Sequence, residues 1–197
     1  EQHKCGVNQR KKLSDKGGNN CDVLLMSATP IPRTLTMTIY GDMDLSIIKE
    51  KPKFRKEVKT YSKLESKMED ILKFVKKEIN RNNQVFWVCP LIEESKKIDH
   101  TSAVKKFEYL RKIFPNKVAL LHGKTSGEEK EVILKKFLNN KFQILVSTTV
   151  IEVGIDFPNA NVIIIENANK FGLSQLHQLR GRVGRGEKES SCILMFK

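Results

Sequence analysis

Short apolar runs alternate with amphipathic segments along most of this 197-residue chain. The apolar runs have the length of buried β-strands and lie at 23–27, 85–89, 118–121, 144–147, 162–165 and 192–196, with 45–48 as a further candidate. The intervening segments predict helices at 30–40, 64–79, 103–114, 126–138 and 173–179. Continuous apolar strands that alternate with amphipathic helices are typical of a parallel sheet covered by helices on both faces. We therefore expect an α/β fold.

Two local signals refine the element bounds and the domain organisation. Ser126 and Glu129 have the spacing of a capping box, which marks the start of a helix that runs to about Leu138. The charged segment 49–59 contains Pro52, so we interpret it as a linker between two units. The predicted division of the chain is 1–52 and 53–197.

The loops that follow the strands are the first places to look for ligand-binding residues, because ligands bind beyond the carboxyl ends of parallel strands. These loops follow Ser27, Leu121, Ser147 and Ile165. One of them contains Gly123-Lys124-Thr125, which matches the end of a phosphate-binding loop. The full pattern requires a glycine where this chain has Val118, inside a predicted strand. We therefore reject a phosphate-binding loop here, and no other stretch of the sequence supplies one.

The charge balance indicates a polyanionic partner. Lysine and arginine outnumber the acidic residues by 36 to 23, and the formal net charge is +13. Nucleic acid is the first candidate for a partner of such a surface. A lysine-biased proteome in which every protein surface is basic would give the same composition, so charge alone leaves both interpretations open.

Cysteines and histidines give no sign of a metal centre or a disulfide framework. The four cysteines lie far apart without a CxxC pair, and the four histidines lack metal-ligand spacing. Cys89 and Cys192 lie within apolar runs, where a free thiol behaves as a small hydrophobic group. No apolar run approaches the ~20 residues of a membrane span. The chain begins with Glu1 rather than methionine, so we expect a cut N-terminus from which a targeting segment could be missing.

The most informative stretch is 175–186, QLHQLRGRVGRG, which we call the arginine motif. It places Arg180, Arg182 and Arg185 among three glycines, with Gln178 just upstream. A guanidinium group is planar, permanently charged and matched to phosphate oxygens, and small residues between arginines allow several such groups to converge. That cluster suits the stabilisation of a transferring phosphoryl group. The alternative is a basic, glycine-rich loop that contacts solvent or nucleic acid.

The arginine motif is the last of six segments that together resemble one family of motor proteins. The others are EQH at 1–3, SATPIPRT at 27–34, VCPLIEES at 88–95, LHG at 121–123 and STTVIEVGID at 147–156. In this order they resemble superfamily-two helicases, and closely the RecG family of ATP-dependent DNA helicases. The resemblance covers nearly the whole chain and implies a RecA-like sheet, with 1–52 as the C-terminal part of the first RecA-like domain and 53–197 as the second. The family tends to have Arg-Phe where this chain has Lys4-Cys5, which puts in doubt only the packing after the first segment.

The resemblance implies roles in ATP hydrolysis. Arg182 and Arg185 would be arginine fingers that reach the γ-phosphate held by the other domain, and Gln178 would sense the same phosphate. Glu1 would orient the attacking water beside an aspartate that precedes it and holds Mg²⁺, so no metal ligand is expected within the chain. For Arg180 we expect a structural salt bridge.

Further residues receive binding and coupling roles from the same resemblance. Gly154 and Asp156 would lie near the nucleotide ribose, and a plain turn capped by Asp156 is the alternative. DNA phosphates would be contacted by His122, Gly123, Thr148 and Thr149. A structural role for His122 is nearly as well supported. Ser27 and Thr29 would couple the nucleotide cleft to the DNA track, or cap the helix predicted from 30, or do both.

The resemblance also implies the activity of the intact protein. It would use ATP and Mg²⁺ to translocate on double-stranded DNA and to remodel branched DNA such as stalled forks and Holliday junctions. We expect a monomeric motor without a membrane role, in the cytoplasm with the nucleoid or in an organelle. Because these residues contain no phosphate-binding loop, we expect the chain alone to lack ATPase activity. Two alternatives stay open: a duplex DNA translocase of the transcription-repair coupling factor type and, for the chain alone, a non-catalytic nucleic-acid-binding module.

Overall fold

The computed structural model describes residues 55–90, 96–148 and 157–197 and, before them, only positions 16, 24, 26, 46–48 and 50. The chain divides into two units, Glu1–Glu50 and Lys51–Lys197, and the second contains almost all of the described residues. Where the predicted strands 23–27 and 45–48 are described, the residues have no regular secondary structure. The predicted helix 30–40 lies outside the described residues.

Among the described residues, six strands form one parallel sheet. They are β1 (Val58–Leu64), β2 (Gln84–Val88), β3 (Val118–Leu121), β4 (Ile144–Ser147), β5 (Ala160–Ile165) and β6 (Ser190–Phe196). Their order across the sheet is β1-β6-β5-β2-β4-β3, and all neighbours are parallel. The predicted parallel α/β sheet is therefore confirmed, and β3 and β4 have the predicted bounds.

Four α-helices connect the strands within the same ranges. They are α1 (Met68–Asn80), α2 (Lys96–Ile113), α3 (Gly127–Leu138) and α4 (Leu173–Arg180). α3 begins with the predicted capping box, in which the side chains of Ser126 and Glu129 each accept a hydrogen bond from the backbone N–H of the other. α2 begins at Lys96 rather than at the predicted 103, because 96–102 contains one large apolar residue, Ile98, and so lacks helical apolar spacing.

Alternate residues of the central strands point to opposite faces of the sheet and build two separate cores. Val85 and Trp87 of β2 pack with α1 and α2 on one face. Phe86 and Val88 pack with α3 and α4 on the other face. All four side chains are fully buried, which confirms the buried strand predicted from the apolar run at 85–89. Helices therefore cover both faces, as the continuous apolar strands indicated.

β1 is a strand that the sequence pattern did not predict. The predicted linker at 49–59 is wrong at its end, because β1 begins at Val58. The helix predicted from 64 begins only at Met68, after a short 3-10 helix. β1 lies at the edge of the described sheet and pairs with β6. Val58 is half-buried and the other residues of β1 are exposed. A strand without a buried face has no apolar alternation to reveal it.

The connections place two groups of predicted site residues at opposite edges of the sheet. His122 follows β3 and Thr148 follows β4, at the carboxyl edge. Residues 181–186, which we call the arginine loop, join the end of α4 to the segment before β6 and lie at the amino edge, against the first residues of β1 and β6, Val58 and Ser190. His122 and Thr148 therefore follow strand ends, where ligand-binding loops are expected, and the arginine loop does not. Ligand binding at either edge stays a prediction.

Candidate functional site

Two buried apolar side chains fix the arginine motif to the sheet. Leu179 of α4 and Val183 of the arginine loop pack in the core that also contains α3. Arg180 and Arg185 are exposed and Arg182 is half-buried. Burial of an apolar side chain of this size contributes ~1.5–3 kcal/mol. The two anchors therefore hold the backbone while the arginines between and beside them face outward.

Close contacts explain two of the glycines in the arginine loop. Gly184 has a φ of +73°, and a Cβ atom there would lie 2.9 Å from Cγ2 of Val58. A Cβ atom at Gly186 would lie 2.9 Å from the carbonyl oxygen of Pro158. These distances are shorter than carbon atoms tolerate, and a positive φ disfavours a side chain by itself. The arginine loop therefore lies directly against the start of β1 and the turn before β5.

Arg55 also holds the arginine loop in place. Its Nε donates a hydrogen bond to the carbonyl oxygen of Gly184 at 3.1 Å, and its Nη2 donates to the carbonyl oxygen of Gly181 at 3.4 Å. Arg55 is half-buried and lies in the segment predicted as a linker. No local pattern predicts this contact, because the two partners lie 129 and 126 residues further along the chain.

The arginine motif brings positive charge to the amino edge of the sheet. Nε of Arg185 donates to the carbonyl oxygen of Gly181 at 3.5 Å, the limit of a hydrogen bond. Over the described ranges, no hydrogen bond or ion pair engages the guanidinium of Arg182, and the salt bridge predicted for Arg180 is not found. Gln178, one turn before Arg182, is half-buried. An anionic ligand would neutralise this cluster, as the sequence predicts.

A buried polar network supports the start of β6, just beyond the arginine loop. Ser190 Oγ donates to Asn161 Oδ1 at 3.2 Å, Asn161 Nδ2 donates to Asn83 Oδ1 at 3.0 Å, and Asn83 Nδ2 donates to Glu78 Oε2 at 2.7 Å. Nζ of Lys188 donates to Asn83 Oδ1 at 3.2 Å. Paired polar groups in a low-dielectric interior favour one arrangement. The network therefore ties the segment that follows the arginine loop to β5 and α1.

At the carboxyl edge, the side chain of His122 closes a tight turn. Its Nδ1 accepts a hydrogen bond from the N–H of Lys124 at 3.2 Å, and its backbone N–H donates to Oγ1 of Thr125 at 3.1 Å. The N–H of Thr125 donates in turn to the carbonyl oxygen of His122 at 3.0 Å. Because Nδ1 is an acceptor, the neutral ring carries its proton on Nε2. The geometry supports the structural role of His122, and its DNA contact stays a prediction.

Gly123 and Thr148 differ in their solvent exposure at the carboxyl edge. Gly123 is exposed, and a Cβ atom there would meet no other atom within 4 Å, so packing does not require a glycine. Thr148 is only 2% exposed, and its hydroxyl has no hydrogen-bond partner among the residues that the structure describes. A buried hydroxyl without a partner is unfavourable. In this conformation Oγ1 of Thr148 is not accessible to a DNA phosphate, so a contact through that atom requires a local rearrangement.

An ion pair at the carboxyl edge was not predicted from the sequence. Glu166 directly follows β5, and its Oε1 lies 2.7 Å from Nζ of Lys106 on α2, with each side chain 16% exposed. The same oxygen accepts a hydrogen bond from Nε1 of Trp87 at 2.8 Å. Nζ of Lys106 also lies 5.5 Å from the centroid of the Trp87 ring. The cluster ties α2 to the ends of β2 and β5. Its one signal in the sequence is an acidic residue at the end of an apolar run.

The two described cysteines are buried thiols, as predicted. Burial raises the pKa of the Cys89 thiol far above its ordinary value, and the nearby carboxylate of Glu166 raises it further. Burial also raises the pKa of Cys192 to about 11, against a smaller opposite effect of Arg180. Both thiols are therefore protonated at neutral pH and are poor nucleophiles.

Six predicted site residues lie outside the described residues, and their roles stay predictions. They are Glu1, Ser27, Thr29, Thr149, Gly154 and Asp156. Across the ranges that are described, no group of three His, Cys, Asp or Glu side chains is arranged to hold a metal ion. No helix in those ranges has both the length and the apolar character needed to cross a membrane.

Comparison with known proteins places this geometry in a family. The helicase conserved C-terminal domain family matches residues 66–187. The chain is 53% identical to the ATP-dependent DNA helicase RecG of Bacillus subtilis over an alignment of 197 positions. The alignment covers 99% of this chain and 29% of that protein. The RecG protein of Thermotoga maritima is 52% identical over an alignment of 197 positions that covers 99% of this chain and 25% of that protein.

A solved structure gives the same result. The structure of RecG bound to a three-way DNA junction matches with a TM-score of 0.72 and 49% identity, over 89% of this chain and 23% of that chain. The chain thus spans less than a third of the length of these relatives. The RecA-like fold and the resemblance inferred from the motifs are both confirmed. The chain therefore belongs to the helicase conserved C-terminal domain family, and within it the chain is similar to the RecG proteins.

Proposed function

We propose that this chain supplies one half of the ATPase site of an ATP-dependent DNA helicase, with Arg182 and Arg185 as the arginine fingers. The observation that carries the proposal is the arginine loop itself. Its backbone is fixed by the close approach of Gly184 and Gly186 to the sheet and by Arg55, while Arg185 is exposed and Arg182 is half-buried. Donors that are fixed before the reaction stabilise developing charge most effectively, because little reorganisation is left.

The charge of the site supports a phosphoryl-transfer role. The guanidinium of Arg182 makes no ion pair within the described residues, so it is available to a polyphosphate. In this proposal another domain holds the γ-phosphate of ATP, and the fingers approach it across a cleft. Gln178 senses the same phosphate from α4. ATP and Mg²⁺ are bound mainly by residues that this chain does not supply, since its sequence contains no phosphate-binding loop.

We further propose that the partner is double-stranded or branched DNA, which contacts the carboxyl edge. Support comes from a similar protein, RecG, whose solved structure includes a three-way DNA junction. The net charge of +13 favours a phosphate backbone. Gly123 is exposed, and a Cβ atom there would meet no other atom within 4 Å, so a phosphate could approach the backbone at this position. Such contacts position a protein on DNA without reading its sequence.

Alanine variants of the fingers test the proposal in the full-length protein that contains this chain. Arg182→Ala and Arg185→Ala are each expected to lower the rate of DNA-stimulated ATP hydrolysis by ~10³-fold or more, since a finger contributes ~10³–10⁵ in rate. ATP affinity is expected to change little. The matched control is Arg111→Ala, which removes an exposed guanidinium whose contact is the ring of Phe107 at 6.0 Å. Finger variants that hydrolyse ATP as fast as this control would contradict the proposal.

For the chain alone, we propose the role of a non-catalytic nucleic-acid-binding module. Two observations favour this role: the sequence lacks a phosphate-binding loop, and its net charge is +13. Hydrolysis requires groups that cradle the β- and γ-phosphates, whereas phosphate-backbone binding requires only basic groups and backbone donors.

A further inference from the structure

We propose that Arg55 is a positioning residue for both arginine fingers. This inference rests on the proposed function of Arg182 and Arg185. Arg55 lies before β1, far from the arginine motif in the sequence. Its guanidinium group donates hydrogen bonds to the arginine loop through both Nε and Nη2.

The two hydrogen bonds of Arg55 fall on the peptide groups that carry the fingers. One goes to the carbonyl oxygen of Gly181, which shares a peptide plane with the backbone nitrogen of Arg182. The other goes to the carbonyl oxygen of Gly184, which shares a peptide plane with the nitrogen of Arg185. Because a peptide group is planar and stiff, holding its oxygen fixes the direction in which the next residue leaves the backbone. One side chain therefore orients both fingers.

An arginine side chain can hold two carbonyl oxygens at the same time, and a lysine side chain is poorly suited to do so. A guanidinium group offers donors in a rigid fork, so that Nε and Nη2 reach two carbonyl oxygens at 3.1 and 3.4 Å at the same time. An ammonium group at the end of a flexible chain acts as a point donor. Both acceptors of Arg55 are neutral carbonyls, so its charge also adds to the positive potential of the loop beside a triphosphate.

The rest of the loop does not depend on Arg55 for its place in the fold. Leu179 and Val183 stay buried in the core, and Gly184 and Gly186 stay packed against Val58 and Pro158. Loss of Arg55 therefore removes the hydrogen bonds that orient two peptide groups without removing an apolar anchor. Catalysis is sensitive to such an error, since misplacement by ~1 Å can cost ~10²-fold in rate.

Arg55→Ala and Arg55→Lys, made in the full-length protein, test the inference. Arg55→Ala is expected to lower kcat for DNA-stimulated ATP hydrolysis by ~10²-fold, with KM for ATP and Tm close to the parent values. Arg55→Lys is expected to lose a smaller part of kcat, because it keeps the charge and one donor. The matched control is Lys56→Ala, which removes the same charge from the next, exposed residue and is expected to keep kcat.

A double-mutant cycle separates this inference from the function on which it rests. If Arg55 acts through the fingers, Arg55→Ala lowers kcat much less in an Arg185→Ala background than in the parent. Full additivity would overturn the inference, as would parental kcat in both Arg55 variants or a loss of kcat that simply follows a loss of Tm. The proposed function fails by a different result: the single variant Arg185→Ala would then have the same kcat as the parent.

Discussion

Replacing Gly184 by alanine tests the packing of the arginine loop against the sheet. In the structure Gly184 has a φ of +73°, and a Cβ atom at this position would lie 2.9 Å from Cγ2 of Val58 and 3.3 Å from Cβ of Ser190. The alanine methyl group therefore meets two neighbours that belong to the first residues of β1 and β6. Neither neighbour is the far end of a flexible side chain, so relief requires movement of the backbone.

The expected cost follows from two effects. A left-handed backbone conformation costs a residue with a side chain ~1–2 kcal/mol. Overpacking by one methyl group costs ~1–3 kcal/mol. The free energy of unfolding is therefore expected to fall by ~2–5 kcal/mol, which is a large part of the ~5–15 kcal/mol typical of a folded domain.

Urea unfolding of the 197-residue chain measures this cost, with Trp87 fluorescence as the signal. Trp87 is the single tryptophan and is fully buried in β2, so its emission reports unfolding of the sheet. The control is Gly127→Ala at the start of α3, where a Cβ atom meets nothing within 4 Å and a gain of ~0.4–1 kcal/mol is expected. If the Gly184→Ala chain unfolds at the same urea concentration as the parent, the packing argument is refuted.

Three further predictions concern the DNA edge, the thiols and the chain alone. Gly123→Ala in the full-length protein is expected to weaken DNA binding, measured by fluorescence anisotropy, without lowering Tm, whereas the control Gly127→Ala is expected to leave DNA affinity unchanged. Equal DNA affinities of the two variants would show that Gly123 does not contact DNA. With Cys5 and Cys21 replaced by serine, a thiol reagent at neutral pH is expected to modify Cys89 and Cys192 only in urea, and prompt labelling of the folded chain would contradict their burial. Because the folded pKa of Cys192 is raised from 9.0 to about 11, the stability contributed by its neutral thiol is complete below pH 9.0 and is lost as pH rises towards 11. The 197-residue chain alone is expected to show no DNA-stimulated ATPase activity and to bind DNA with an affinity that falls steeply with salt, and turnover or salt-independent binding would count against the proposed module.

Most of the sheet could be predicted from the sequence because its central strands are buried on both faces. β3 consists of four apolar residues and β4 of three followed by Ser147, so the bounds of both strands follow closely from the apolar runs in the sequence. β1 could not be found this way, since it is an exposed edge strand stabilised by pairing with β6, a partner more than a hundred residues away. Strand pairing of this kind depends on the fold and leaves no local pattern.

The sequence predicts a chemistry for the arginine motif, which stays a prediction, but it does not predict where the motif lies in the fold. Arginine and glycine in the arginine motif favour phosphate binding, because a guanidinium group matches phosphate oxygens and small residues allow several such groups to converge. Its position at the amino edge depends on strand order, which periodicity does not give. Arg55 was missed for the same reason, since its contact with the arginine loop exists only once β1 lies beside that loop.

The most direct test of the fingers separates ATP binding from ATP hydrolysis in one variant. Full-length protein with Arg185→Ala is mixed with excess DNA and a limiting amount of ATP, and the single-turnover hydrolysis rate is measured together with the ATP dissociation constant. We expect the rate to be reduced by ~10³-fold or more and the dissociation constant to stay close to that of the parent. A parental single-turnover rate, or a loss of rate explained entirely by weaker ATP binding, would contradict this expectation.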